Sequence, residues 1–203
     1  MNLRLAKIVS AVFHPLLVPT YTLLVMINLQ IHSILVMPLK YRYIIVVFVF
    51  LTTFVLPSIV IFILLKVGKI KNLEMDTRQE RTLPMIIIAV AFYGTYYFLK
   101  QTSLTGLMAL FMAGATVLVL ICLVINYITK ISLHMTAWGG MFGVFLGFAL
   151  SHHYNLLAIL FSILLVIGIV GTSRLKLNVH TPAQVYSGFV LGAGIMVSLF
   201  YLI

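Results

Sequence analysis

Seven apolar runs, at about 12–31, 43–65, 83–99, 105–128, 133–150, 155–171 and 182–202, alternate with short polar connections along the whole chain. A helix crosses the hydrocarbon of a bilayer in about 20 residues, and runs of this length must satisfy their own backbone polar groups there. None shows the period-2 alternation of a membrane-barrel strand. The pattern therefore predicts an all-α fold, a polytopic transmembrane helical bundle of six to seven spans. The lower count allows for the first run, which Pro15 and Pro19 bend or leave partly interfacial. The N-terminus has basic residues ahead of its apolar stretch but no small-x-small cleavage site, so it reads as a retained span rather than a signal peptide.

The polar residues are unevenly shared among the connections. They concentrate at Lys66 to Arg81, Lys130 to His134 and Ser173 to Gln184, which follow the second, fourth and sixth runs. Connections two spans apart emerge on the same face, so the three clusters converge on one side of the membrane. The alternate connections carry little beyond Lys40, Arg42, Lys100 and the pair His152-His153. Gly139, Gly143 and Gly147 recur at four-residue spacing in the fifth run, and Gly188 and Gly192 do so in the seventh. Small residues at this spacing permit close helix approach. Packing these two runs together would bring His134 and His180 near one another; generic packing explains the glycines equally well.

Composition agrees with the pattern. The chain is 63% hydrophobic and 8% charged, with mean hydropathy +1.21, more apolar surface than a soluble domain can bury. No soluble domain or long linker interrupts it, so residues 1–203 read as one integral-membrane domain whose motif-bearing region is 66–184. The net charge of +10 sits in connections around spans, as topology signals do, and aromatic residues do not interleave with it, so nucleic acid is not an expected partner. The lone Cys122 lies inside an apolar run and reads as a small core residue, with neither a disulfide nor a thiolate metal site.

Thr181 suits a helix N-cap and Pro182 a first helical position, so the last helix should begin at about 182, with His180 just outside it. Such a spot attracts anions. Arg174, six residues ahead of His180, can grip phosphate oxygens in a bidentate manner, and a neutral His180 beside an Arg-bound phosphate can attack phosphorus. His134 can protonate a leaving alkoxide; Ser132 can cap its helix or donate to a phosphate oxygen. The 71–81 loop supplies Lys71, Arg78 and Arg81, which also suit lipid headgroups, and it holds every acidic residue of the chain: Glu74, Asp76 and Glu80.

These residues fall into an order that resembles the type 2 phosphatidic acid phosphatase superfamily, membrane lipid phosphatases related to the vanadium haloperoxidases. Its motifs are K-x6-R-P, P-S-G-H and S-R-x5-H-x3-D. Ser173, Arg174 and His180 match the third at its spacing; Ser132 and His134 match part of the second; Lys71 and Arg78 match the first, with proline absent at 79 and present at Pro84, which lets Arg81 share the arginine role. The resemblance implies hydrolysis of a phosphomonoester or diphosphate of a lipid, phosphatidyl or prenyl in type, without a metal or other cofactor and through a phosphohistidine. By resemblance, His180 is the nucleophile, His134 the acid for the leaving group, and Lys71, Arg78 and Arg174 the phosphate clamp, with Ser173 and Ser132 at the substrate. Gln184 stands where the family has aspartate. Its amide oxygen can still accept from the imidazole, and one of Glu74, Asp76 or Glu80 is a candidate for the missing carboxylate.

Orientation follows from the thirteen basic residues. Lys40, Arg42 and Lys100 lie on one side and the other ten on the motif side; setting aside Lys71, Arg78 and Arg174 as phosphate ligands leaves seven against three. Basic loops stay cytoplasmic, so the charge count favours the cytoplasmic face, with a bacterial inner membrane the expected location. The family resemblance points the other way, since many members of that superfamily place the site outside the cytoplasm. The competing reading is a lipid-phosphate-binding protein or complex subunit that kept the fold without the carboxylate. A transporter fits less well, because the spans hold almost no charge at mid-depth. A metal-dependent prenyl-diphosphate enzyme fits less well too, because Asp76 and Glu80 make a single acidic pair. Oligomeric state has no signature in the sequence.

Overall fold

In a computed structural model, residues 1–29, 37–73, 75, 77–101, 105–152 and 154–202 are described. Among them the chain is helical with no strand, and seven helices are long and apolar enough to cross a membrane: Leu3–Asn28, Leu39–Lys66, Arg78–Leu99, Gly106–Asn126, Leu133–Ser151, Leu157–Lys176 and Pro182–Tyr201. The protein is an all-α polytopic membrane protein. It divides into two compact units, Met1–Pro15 with Val124–Ile203, and Leu16–Leu123.

The first span starts earlier than its hydrophobicity suggests. Helix α1 covers Leu3–Val12 because the Asn2 side chain accepts from Leu5 N–H at 2.8 Å, capping a turn that the apolar pattern alone does not reveal. It stops where Pro15 restricts His14 and offers no N–H. A 3-10 turn, Pro15–Leu17, leads into α2 (Val18–Asn28).

In the Leu16–Leu123 unit, α3 (Leu39–Phe50) and α4 (Leu56–Lys66) form one span joined by a π-turn at Leu51–Val55. Pro57 follows directly, so the irregularity lies where a proline removes a helical hydrogen bond. Thr53 Oγ1 donates to Val49 O at 2.8 Å, and Thr95 Oγ1 to Thr52 Oγ1 at 2.9 Å, so hydroxyls satisfy part of this stretch and tie it to α5. Helix α5 runs Arg78–Leu99, beginning before the apolar run at 83. Thr77 accepts from Glu80 N–H at 3.3 Å: the Thr-x-x-Glu start signal extends the helix through polar residues. Helix α6 (Gly106–Asn126) buries Cys122 completely.

The other unit is built on α7 (Leu133–His152), α8 (Leu157–Lys176) and α9 (Pro182–Tyr201), with α1 against α8. Among the described residues the α7–α9 seam is the most extensive helix pair, and the glycines make it. A Cβ on Gly188 would lie 2.8 Å from Ser132 O, one on Gly143 2.5 Å from Ala193 O, and one on Gly147 2.8 Å from Phe200 Cβ. At Gly192 it would run into the Thr136 carbonyl. Backbone therefore meets backbone along the seam. Phe145 and Phe200 are fully buried, and Phe148 packs edge-on against Phe200 at 5.1 Å.

Candidate functional site

The glycine seam brings the two histidine-bearing helix starts together. Gly188 lets the Ser132 carbonyl lie on α9, and Ser132 N–H donates to Gln184 O at 3.3 Å. At the head of α9, Thr181 and Gln184 form a capping box: Gln184 N–H donates to Thr181 Oγ1 at 3.4 Å, and Thr181 N–H to Gln184 Oε1 at 3.1 Å. The helix begins at Pro182, where the Thr-Pro pair places it.

That box also orients His180. With Gln184 Nε2 donating to Thr129 Oγ1 at 3.4 Å, the amide oxygen faces the ring, 3.3 Å from His180 Nδ1. The Lys130 backbone carbonyl is nearer, at 3.1 Å from the same nitrogen. Both neighbours can only accept, so Nδ1 carries the hydrogen and the neutral ring has its lone pair on Nε2. The tautomer needed for attack through Nε2 is thus set by two uncharged oxygens. One of them is a main-chain atom invisible to motif reading.

His134, the second residue of α7, is held from a different direction. Its Nε2 donates to the Ser10 carbonyl at 3.1 Å, which leaves Nδ1 for proton exchange. Its ring meets His14 edge-on, with centroids 5.6 Å apart. Arg174, His14 and His180 all lie within electrostatic reach of His134. Arg174 Nη1 donates to Ser10 Oγ at 3.1 Å.

The structure therefore gathers Ser132, His134, Ser173, Arg174, His180 and Gln184 in one unit. Ser173 is fully buried and commits its hydrogen to Val170 O at 2.7 Å. Ser132 is fully buried too, and among the described residues its hydroxyl has no hydrogen-bond partner, a rare state for a buried hydroxyl. Lys71 and Arg78 are exposed at the entry to α5 in the other unit, and Arg81 is buried there. Glu74 and Asp76, two of the three candidate carboxylates, lie outside the described residues, as does His153. Glu80 belongs to the first turn of α5. Among the described residues no group of three or more His, Cys, Asp or Glu side chains is placed to hold a metal ion.

Comparison with protein-family models, curated proteins and solved structures finds no match to this chain. The site is thus defined by its own geometry. Sequence reasoning missed Ser10 and His14, both contributed by the N-terminal segment. The available signal was His14 itself, an ionisable residue inside an apolar span, where such residues are costly and tend to be functional.

Proposed function

We propose that the protein is an integral-membrane lipid phosphatase acting through a phosphohistidine. The observation that carries this reading is the meeting of Arg174, His134 and His180 within one unit, with His180 held in the tautomer whose lone pair is on Nε2. No carboxylate side chain belongs to the sequence of that unit, since all three acids lie in Glu74–Glu80.

In the proposed cycle Arg174 binds non-bridging phosphoryl oxygens and His180 Nε2 attacks phosphorus. The P–O bond to the lipid breaks, and His134 in its protonated form delivers a proton from Nδ1 to the departing oxygen. Water, losing its proton to His134, then attacks the phosphohistidine, releasing inorganic phosphate and restoring both rings. The Ser132 hydroxyl is suited to donate to a phosphoryl oxygen. For Lys71, Arg78 and Arg81 the phosphate-binding role rests on the motif resemblance. The substrate is a phosphatidyl or prenyl phosphate or diphosphate, entering from the bilayer.

The test is phosphate release from a panel of lipid phosphates by wild type and His180→Ala. Release that vanishes in the variant supports the enzyme. Absence of release from every lipid, with binding that depends on Arg174, would establish instead the non-catalytic binder. For the face of the membrane, we propose the cytoplasmic side. Single cysteines at positions 77 and 153 should then label from the cytoplasm and from outside respectively; the reverse pattern inverts the assignment.

Gln184 should matter less than its place in the motif suggests. Removing its side chain takes away one of two acceptors on His180 Nδ1 and half of a capping box, each worth about 1 kcal/mol. We expect Gln184→Ala to lower turnover by about five-fold to ten-fold through the lost acceptor, with the capping loss appearing in stability instead. An aspartate-to-asparagine change at the analogous point of a serine protease costs about 10⁴. A loss of that size in steady-state turnover would show that Lys130 O does not hold the ring.

A further inference from the structure

We propose that Ser10, on the N-terminal helix, is the positioning residue for Arg174, so that α1 is part of the phosphate-binding machinery. This rests on the phosphate-site reading above. Ser10 is nine-tenths buried and makes three contacts with residues of that site. Its carbonyl accepts from His134 Nε2 at 3.1 Å, its hydroxyl accepts from Arg174 Nη1 at 3.1 Å, and the same hydroxyl lies 3.1 Å from Ser173 Oγ.

Hydrogen bookkeeping gives these contacts one direction. Ser173 spends its only hydroxyl hydrogen on Val170 O, so at the Ser10–Ser173 contact Ser10 is the donor. The Ser10 oxygen then presents its lone pairs to the guanidinium. The chain runs Arg174 Nη1–H to Ser10 Oγ, Ser10 Oγ–H to Ser173 Oγ, and Ser173 Oγ–H to the Val170 carbonyl. It ends on the backbone of α8, the helix that carries Arg174 itself. A long side chain that must meet a phosphate bidentately loses binding if its fork can rotate. The chain restrains that rotation from one side, and it does so with neutral atoms. The same residue's carbonyl fixes the His134 ring, so one turn of α1 sets both the clamp and the acid. Two sequence features make this possible: Ser10 faces the bundle with Ala6 and Val9 on the buried side of α1, and the break before Pro15 follows immediately. Trp138 Nε1–H, donating to Phe13 O at 3.1 Å, pins that break to α7.

The experiment uses the full chain in detergent, with dioctanoyl phosphatidate as substrate and orthovanadate as the phosphate mimic. Ser10→Ala should raise both the KM and the vanadate inhibition constant about ten-fold, the scale of one hydrogen bond to a charged group. The pH profile of kcat should stay in place, because both histidines keep their backbone anchors. Ser10→Cys, which preserves volume but accepts hydrogen bonds poorly, should show the same direction and covers the case in which the alanine variant does not fold. Adding Ser10→Ala to Arg174→Ala should cost nothing further. Unchanged KM and vanadate constants in Ser10→Cys, or additive losses in the double variant, would overturn the role of Ser10 and leave the phosphatase reading standing. A wild-type protein that binds vanadate in a Ser10-dependent way yet releases no phosphate would overturn the enzyme and keep Ser10. Neither release nor vanadate binding by wild type would overturn both.

Discussion

His180→Ala should abolish phosphate release, with a fall in turnover of about 10⁴ to 10⁶, the range for loss of a covalent nucleophile. The size of the effect follows from what the side chain does. In the proposed cycle it is the only group that bonds to phosphorus, and no acidic or thiol side chain of its own unit can replace it, since that unit contains neither. The fold should survive the change. His180 precedes the cap of α9, and the capping box is made by Thr181 and Gln184, not by the imidazole. Thermal unfolding in detergent should therefore shift little while activity is lost. Burst-phase trapping in acid-free quench should show a base-stable phosphoryl group on the wild-type chain and none on the variant. Residual turnover within ten-fold of wild type would exclude His180 as the nucleophile.

The second large effect is expected far from the chemistry, at Gly192→Ala. A Cβ there would press into the Thr136 carbonyl and lie 2.7 Å from Gly140 N, both backbone atoms of α7 that cannot rotate away. Overpacking of a tight interface costs about 1–3 kcal/mol, and more where backbone must move; here the seam itself has to open. We expect a loss of about 3 kcal/mol or more in the stability of the α7–α9 pair. Activity should fall with it, because the same seam delivers Ser132 and His134 to Gln184 and His180. Gly194→Ala, on the same helix, provides the control. Nothing lies within 4 Å of the Cβ position there, so alanine should be tolerated and gain about 0.5–1 kcal/mol from helix propensity. Equal thermal midpoints for the two variants would show that the seam is not packed as described.

The two outcomes bear on how much of this protein can be read without its structure. Seven spans and their apolar extents follow from hydropathy, since lipid leaves the backbone one way to satisfy itself. The ends do not follow so directly. Asn2 and Thr77 extend helices beyond the apolar runs because capping is chosen by local hydrogen bonds, not by hydrophobicity. The head of α9 was legible to the residue, because Thr-Pro carries a cap and a first-turn preference in the same two positions.

For the site, the chain order of residues is enough to select Ser132, His134, Ser173, Arg174, His180 and Gln184 as candidates, and the glycine spacing is enough to suggest which helices carry them together. Sequence by itself therefore determined the fold class and the types of side chain available for chemistry: two helix-start histidines, an arginine, and a glutamine in place of an acid. The tertiary structure decided how those side chains are held. The Lys130 carbonyl on His180 and the Ser10 carbonyl on His134 are main-chain acceptors, which every residue possesses and no motif can mark. Ser10 lies 164 positions from the arginine it touches, and such a pairing exists only once packing has placed α1 against α8. That is the physical reason the candidate residues were readable and their protonation geometry was not.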